Sequence, residues 1–291
     1  MTILESILLG VVQGITEFLP VSSSGHLAII QNLFHIETNG SMLFDIMLHL
    51  GTLVAVFIVY RRDIWKMIVE FFCMCGDIFS NLRTFILNRI HKTSLRYKRV
   101  IRNNYRKFVV LILVSTVPTG VLGVLGKDLI EKASATMLIP GICLLITGVL
   151  LLIADLTKEG RKMPKNVSYL DGIIIGTAQG LATLPGLSRS GTTIATCLLC
   201  GLDRKFAVKY SFILSIPAIL GAAVLEIKDV IAEPIEAGQI GIYAVGMVFS
   251  AVVGYVCIKT MLLVVRNKKF SYFSYYCFAV GVVAIVGHFL L

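Results

Sequence analysis

The stretch Pro185-Gly186-Leu187-Ser188-Arg189-Ser190-Gly191-Thr192-Thr193 places one fixed positive charge and four hydroxyl side chains inside an otherwise apolar region. The flanking residues 172–184 and 194–202 carry no charge. A charged side chain in an apolar segment costs several kcal/mol unless it faces a polar cavity. Arg189 is therefore a candidate functional residue.

The same stretch predicts a helix break followed by a new helix. Pro185 and Gly186 disfavour a continuous helix, and Ser188 or Ser190 can cap the next one. The free backbone N–H groups of a helix start, beside an arginine and several hydroxyls, form a site for a phosphate-like anion.

A second copy of this arrangement lies near the beginning of the chain. Aligning Gln13 with Gln179 superimposes Ser22-Ser23-Ser24-Gly25-His26 on Ser188-Arg189-Ser190-Gly191-Thr192. This correspondence predicts an internal repeat.

The composition indicates an all-α polytopic membrane protein. Hydrophobic residues make up 56% of the 291 residues and charged residues only 15%. The first apolar segment has no basic start typical of a secretory signal, so we expect it to be retained. Uninterrupted transmembrane spans are predicted near 43–60, 108–126, 137–154, 206–225, 241–265 and 272–291.

The distribution of charge predicts the topology. Of the 27 lysine and arginine residues, 22 lie in the segments 61–107, 158–165, 204–209 and 266–269, whereas the connection 226–239 is acidic. The positive-inside rule places the basic segments in the cytoplasm and the acidic connection outside. It also places 37–41 outside. The net charge of +10 is then a topology signal, and nucleic acid is not expected as a partner.

This topology predicts an inverted repeat. Segments 3–36 and 170–202 are interrupted at mid-length by Pro, Gly and Ser, which suits re-entrant hairpins of two half-helices. The first would enter from outside and the second from inside. Each begins a unit of one re-entrant hairpin and three transmembrane helices, namely 1–156, with a basic cytoplasmic insertion at 61–107, and 168–291. The two hairpin tips would meet near the bilayer midplane around a protein-lined cavity.

The insertion has two predicted parts. An apolar stretch at 64–90 that carries scattered charges is expected to be an interfacial helix on the cytoplasmic side, in contact with membrane lipids or serving as a topology anchor. A basic segment up to Lys107 follows.

Several residues in the two breaks have the chemistry of phosphoryl transfer. Gln13 and Glu17 share a helix face, and His26 follows the Ser22-Ser23-Ser24 break. Together with Arg189 they could activate a nucleophile, stabilise phosphoryl oxygens and move protons. Glu17, helped by Gln13, could hold one Mg²⁺ or Ca²⁺, which prefer oxygen ligands.

Asp45 and His49 share a face of the next span. They could support the site from a second layer of side chains, or form a pore-lining or interfacial pair.

The two motifs, 13–26 and 185–193, resemble the signature motifs of the undecaprenyl-pyrophosphate phosphatases of the bacitracin-resistance type. The resemblance covers nearly the whole chain, although the basic insertion around 81–107 is longer than usual. It implies hydrolysis of undecaprenyl pyrophosphate to the monophosphate, which recycles the lipid carrier of bacterial cell-wall synthesis. The site would be reached from the extracytoplasmic side of the cell membrane.

Carried over by motif position, the expected catalytic residues are Glu17, Ser23, His26 and Arg189. Substrate contacts are expected from the other motif residues, which are Ser22, Ser24, Gly25, Ser188, Ser190, Gly191, Thr192 and Thr193. Many family members have Glu where this chain has Gln13, although Gln also occurs. Glu17 must therefore carry more of the metal-binding task.

The mechanism and one alternative function stay open at this stage. Ser23 could attack the terminal phosphorus, or water could attack directly with Ser23 as a ligand. Broken helices in an inverted repeat also fit a transporter or flippase for a phosphorylated polyprenyl lipid. Small-residue helix faces permit close packing within one chain or between two, which leaves a homodimer open.

Overall fold

Helices make up most of the backbone in the computed structural model, which describes residues 1–34, 36, 42–134, 136–232, 237–266 and 270–290. The predicted outer segment 37–41, part of the acidic connection (233–236) and part of the last basic segment (267–269) lie outside the described residues. The helices are α1 (Ile3–Phe18), α2 (Ser23–Leu33), α3 (Met42–His91), α4 (Asn104–Leu125), α5 (Lys127–Ser134), α6 (Leu138–Leu156), α7 (Tyr169–Leu181), α8 (Arg189–Leu199), α9 (Arg204–Ala232), α10 (Ala237–Arg266) and α11 (Phe270–Leu290).

Six helices in the described part of the chain are long and apolar enough to cross a membrane. Their mean hydropathies lie between 1.6 and 2.4, and each overlaps one predicted span nearly completely. They are α3, α4, α6, α9, α10 and α11. The prediction of an all-α polytopic membrane protein is confirmed, whereas the short helix α5 was not predicted.

The helices α1, α2, α7 and α8 are too short to span a bilayer. They have 16, 11, 13 and 11 residues. At a rise of 1.5 Å per residue the longest is about 24 Å, less than the ~30 Å hydrocarbon core. The predicted mid-length breaks are present, and α2 and α8 begin at Ser23 and Arg189, the pair that the sequence alignment superimposes.

The break before α8 depends on backbone geometry that glycine provides. Gly186 has φ +84°, and a Cβ atom built on it would lie 2.2 Å from the carbonyl oxygen of Pro140 in α6. Ser188 is the N-cap of α8, because its side chain accepts a hydrogen bond from the N–H of Gly191 at 3.1 Å. Of the two predicted capping residues, the structure therefore selects Ser188.

Gly186→Ala is expected to destabilise the protein by about 3 kcal/mol, because it combines a left-handed backbone with a clash against Pro140. The unfolding free energy in mixed detergent and SDS micelles would measure this loss. Gly123→Ala in α4 is the matched control, since nothing lies within 4 Å of its added methyl group. Equal stabilities of the two variants would contradict the close approach of α6.

The polypeptide after the first span is helical where a helix was predicted at 64–90. Helix α3 continues to His91, and non-helical backbone at Tyr60 (φ −101°, ψ 17°) divides it into two parts. This kink lies at the predicted end of the span. The place of the second part at the membrane interface stays a prediction. The following basic segment runs back along α3, where Asn81 hydrogen-bonds to both backbone groups of Lys98 at 2.7 and 2.8 Å.

A buried arginine binds two acidic residues in the part of α3 that follows Tyr60. Arg106, in the first turn of α4, is fully buried. Its Nε donates to Glu70 at 2.6 Å, and its Nη1 donates to Asp77 at 2.6 Å and to the carbonyl of Val100 at 2.7 Å. A buried charge is tolerated when it is paired and hydrogen-bonded in this way. Glu70 and Asp77 thus form internal ion pairs.

The broken segments pack against spans from the opposite end of the chain. Helix α1 lies against α10, α7 lies against α4, and α6 lies against α11. Phe18, at the end of α1, makes an edge-to-face contact with Phe212 of α9 at 5.2 Å between ring centroids. These contacts bring the two breaks together in the interior of the helix assembly.

Candidate active site

The site is built where the two breaks meet. Glu17 lies in the last turn of α1, Ser23 begins α2 and Arg189 begins α8. One oxygen of Glu17, Oε1, accepts a hydrogen bond from Nη2 of Arg189, and the other, Oε2, accepts one from the hydroxyl of Ser23 at 2.8 Å. The carboxylate is buried. One buried carboxylate therefore joins the candidate nucleophile to the candidate phosphate-binding cation.

A second layer of contacts comes from Gln13 and His49. The Gln13 amide nitrogen lies 3.2 Å from Oε2 of Glu17 and 3.0 Å from Nδ1 of His49 in α3. The shared face predicted for Gln13 and Glu17 is confirmed. The same His49 nitrogen is 3.7 Å from Oε2 of Glu17. The structure thus includes His49 in the cluster, where the sequence left its place undecided.

Ser22 creates the turn that presents Ser23. Its φ of +71° is in the left-handed region, which is uncommon for a residue other than glycine. Such local strain recurs at functional sites. The turn ends α1 one residue after Glu17 and starts α2 at Ser23, so that both side chains face the same point.

Two cavities adjoin the cluster and share Ile46, His49 and Glu226 as lining residues. The smaller has a volume of about 130 Å³ and is also lined by Arg189 and apolar residues of α9. The larger has a volume of about 660 Å³ and is also lined by Ser24 and by apolar side chains, including Ile29, Met137, Leu144 and Ala284. Asp45 and Glu226 are the acidic residues among those that line the larger cavity, and most of its other lining residues are apolar. A cluster with Arg189 beside a largely apolar cavity suits an amphiphile with an anionic head.

His26 does not reach the cluster. Its Nδ1 lies 2.7 Å from the carbonyl oxygen of Ser22, and its Nε2 lies 2.7 Å from the hydroxyl of Tyr276. The His26 ring also stacks on Tyr276, with centroids 5.6 Å apart. Because a carbonyl oxygen only accepts, Nδ1 is assigned as the donor in the first of these contacts. In this arrangement His26 holds the turn at Ser22.

The other predicted substrate residues of the first motif lie at the larger cavity or beside it. Ser24 and Gly25 line the cavity. The buried Ser22 hydroxyl is 3.4 Å from that of Ser24. Their predicted role in substrate binding stays a prediction.

The second motif is mostly buried at the start of α8. Ser188 caps the helix, and its Oγ is 3.4 Å from that of Ser190. The hydroxyl of Thr192 is buried without a hydrogen-bond partner in the described residues, whereas Thr193 donates to the carbonyl of Arg189 at 2.8 Å and contacts the Ser211 hydroxyl.

Gly191 has a packing role, and its role in substrate binding stays a prediction. A Cβ atom on it would be 3.1 Å from Cβ of Pro20. Its lack of a side chain allows the two breaks to approach one another.

The residues predicted to hold a cation offer it a partial set of ligands. Glu17 supplies carboxylate oxygens, but Gln13 turns its nitrogen towards Glu17, and its Oε1 is buried without a partner among the described residues. No cluster of three or more His, Cys, Asp or Glu side chains is found in the described ranges. Mg²⁺ commonly takes one or two carboxylates and completes its shell with substrate phosphates and water. The donor set fits an ion held in that way.

Sequence reasoning missed Tyr276 and Ser211. Tyr276 is 250 residues from its partner His26, and Ser211 is 18 residues from Thr193. Neither lies in a motif, so no local signal marked them.

Comparisons with known proteins find similar sequences along nearly the whole chain. A family model described as bacitracin resistance protein BacA matches residues 6–283. The chain is 41% identical over 286 residues to an undecaprenyl-diphosphatase from Alkaliphilus metalliredigens, and the alignment covers 98% of each chain.

Similar relatives occur in other organisms. An undecaprenyl-diphosphatase from Methanosphaera stadtmanae is 39% identical over 284 residues, which cover 98% of this chain and 97% of the relative. One from Carboxydothermus hydrogenoformans is 38% identical over 284 residues, which cover 97% of this chain and 96% of the relative. The chain belongs to the BacA family of bacitracin resistance proteins.

Proposed function

We propose that this membrane protein hydrolyses undecaprenyl diphosphate to undecaprenyl phosphate and inorganic phosphate. This reaction would recycle the lipid carrier of bacterial cell-wall synthesis and confer bacitracin resistance. The observation that carries the proposal is that Glu17 binds both the Ser23 hydroxyl and Arg189 beside a cavity with apolar walls. The names of the relatives support the same activity.

Glu17 and Ser23 provide the reacting groups of the proposed mechanism. Ser23 Oγ attacks the terminal phosphorus while its proton passes to Glu17. The bond from phosphorus to the bridging oxygen breaks, and undecaprenyl phosphate leaves with the proton that Glu17 had taken. Water then attacks the phosphoserine, Glu17 takes a proton from this water and passes it to Ser23 Oγ, and phosphate is released. The 2.8 Å hydrogen bond between the two side chains supports this proton path.

Arg189 couples substrate binding to the strength of the base. Without substrate its guanidinium stabilises the ionised form of Glu17. When phosphoryl oxygens attract Arg189, Glu17 loses that partner and becomes a better proton acceptor. The arginine then stabilises charge on the transferring phosphoryl group.

His26 and the cation have supporting roles in the proposal. His26 was predicted to assist proton transfer, and its contacts with Ser22 and Tyr276 favour a role in fixing the turn before Ser23. A divalent ion, Mg²⁺ or Ca²⁺, would be held by Glu17, and Gln13 would support that carboxylate through its amide nitrogen. Such an ion supplies neutralisation of the diphosphate charge.

The inverted repeat is part of the proposal. Glycines at matching positions of α1 and α7 pack closely on α10 and α4. Gly10 lies against Gly246 and Gly14 lies against Ser250, Val253 and Gly254, whereas Gly176 lies against Ser115 and Gly180 against Leu122. These matching close contacts support two re-entrant hairpins, each packed on the second span of the opposite unit.

We also propose that the site opens to the extracytoplasmic side. Each of three spans has one end that adjoins a basic segment and one end that does not. The larger cavity is lined by residues at the ends that do not, namely Met42, Met137 and Glu226. The positive-inside rule puts those ends outside.

Phosphate release from undecaprenyl or farnesyl diphosphate by purified protein in detergent tests the function. We expect release in Mg²⁺ or Ca²⁺, loss of activity with a chelator, and a phosphoserine at Ser23 in quenched reactions. A preparation of Glu17→Gln measures the background. Release no greater than this background would favour the transporter or flippase. Inversion at phosphorus with no phosphoserine would replace the covalent step by direct attack of water.

A further inference from the structure

His49 lies in the cluster, although neither the motifs nor the resemblance gives it a role. Its Nδ1 is 3.0 Å from the Gln13 amide nitrogen. The ring lines both cavities, and 39% of its side chain is accessible. His26, by contrast, has both ring nitrogens engaged by Ser22 and Tyr276. His49 is thus the histidine placed to meet a ligand beside Glu17.

The contacts of Gln13 determine which His49 nitrogen carries the proton. The amide nitrogen of Gln13 lies 3.2 Å from Glu17 Oε2, and a flipped amide would put its oxygen against that carboxylate. An amide NH₂ group can donate two hydrogen bonds and can accept no hydrogen bond. It therefore donates one to Glu17 and one to Nδ1 of His49. Nδ1 therefore accepts, and the proton of the neutral ring is on Nε2.

The position of the ring leaves this Nε2–H available to a ligand in the cavities. Nδ1 is held by buried Gln13, and Nε2 has no protein partner in the part of the chain that the structure describes. The smaller cavity is lined by both His49 and Arg189. An anion where the cavities meet could therefore contact a neutral N–H donor and a guanidinium at the same time.

We propose that neutral His49 is a catalytic residue that donates a hydrogen bond from Nε2–H to the terminal phosphoryl group of a prenyl diphosphate. Gln13 is the positioning residue that selects this tautomer. The inference rests on the proposed phosphatase activity and extends it to a residue outside both motifs. A fixed donor aimed at charge that grows in the transition state lowers the barrier without binding the substrate more tightly.

Two substitutions separate hydrogen-bond donation from packing. His49→Leu removes the donor, and we expect kcat to fall about a hundredfold while KM changes less than about threefold. His49→Gln keeps an N–H donor on a side chain of similar length, and its kcat should stay within about fivefold of the parent. Equal losses in both variants, or kcat of the leucine variant within about threefold of the parent, would overturn the proposal.

His288 provides the matched control. It is exposed in the last turn of α11 and is not among the residues that line either cavity, so His288→Leu and His288→Gln should both leave kcat unchanged. Gel filtration in detergent checks folding of each variant.

A spectroscopic measurement tests the tautomer without any need for activity. In ¹⁵N-histidine-labelled parent protein, the His49 signal, assigned by its loss in His49→Gln, should show a protonated Nε2 and an unprotonated Nδ1. Gln13→Leu should lose this preference. A protonated Nδ1 in the parent would overturn the proposal even if phosphate release is normal. An inactive parent with the expected tautomer would contradict the phosphatase function and leave the His49–Gln13 geometry correct.

Discussion

Glu17→Gln is expected to lower kcat/KM for prenyl diphosphate hydrolysis by about a thousandfold, or ~4 kcal/mol of transition-state stabilisation. The substitution preserves the size of the side chain. However, an amide oxygen cannot take the proton that the Ser23 hydroxyl presents at 2.8 Å. The ion pair with Arg189 is also lost. The measurement is steady-state phosphate release by purified variants across a range of Mg²⁺ and Ca²⁺ concentrations.

Glu5→Gln is the control for the same chemical change on the same helix. Glu5 accepts a hydrogen bond from the N–H of Thr2 at 2.8 Å in the capping box of α1, and glutamine can serve in such a box. The kcat/KM of the Glu5→Gln variant should equal that of the parent. If Glu17→Gln retained more than about a tenth of the parental kcat/KM at any metal concentration, Glu17 would not be the base or the metal ligand.

The sequence predicted those features that depend on local chemistry. Pro, Gly and Ser at the breaks ended α1 and α7, and the spacing of four residues placed Gln13 beside Glu17. Apolar runs identified the six spans. The alignment of Ser23 with Arg189 anticipated the two helix starts, but not their different geometry, since Ser22 has a left-handed backbone and Ser188 is an N-cap with extended backbone.

Features that depend on contacts between distant segments could not be predicted. Glu70 and Asp77 were predicted only as scattered charges on an interfacial helix, and the sequence did not reveal that both bind Arg106, which is 36 and 29 residues away. His26 was predicted to be catalytic from its place in the first motif, and no local signal in the sequence marked its contact with Tyr276, 250 residues away. His49 reaches the cluster only through the packing of α1 against α3.

Arg189→Lys is expected to lower kcat/KM about a hundredfold, or ~3 kcal/mol. Lysine keeps the positive charge opposite Glu17, so the ion pair across the two breaks is preserved and the fold should survive. What is lost is the planar guanidinium, which can bind two phosphoryl oxygens while it leaves Glu17. The decrease in kcat/KM should therefore measure how much the guanidinium contributes to binding the transferring phosphoryl group. Steady-state kinetics of the purified variant measure it, with gel filtration as the folding check.

Two further variants distinguish binding of the phosphoryl group by the guanidinium from a requirement for positive charge alone. Arg161→Lys makes the same change at an exposed position in the predicted cytoplasmic connection and should leave kcat/KM unchanged. Arg189→Ala should regain part of its activity when methylguanidinium is added, because the small cation can enter the cavity that Arg189 lines. Activity of Arg189→Lys within about threefold of the parent corresponds to less than ~1 kcal/mol. In that case the arginine would serve only as a charge that holds Glu17, and the phosphoryl group would have to bind elsewhere.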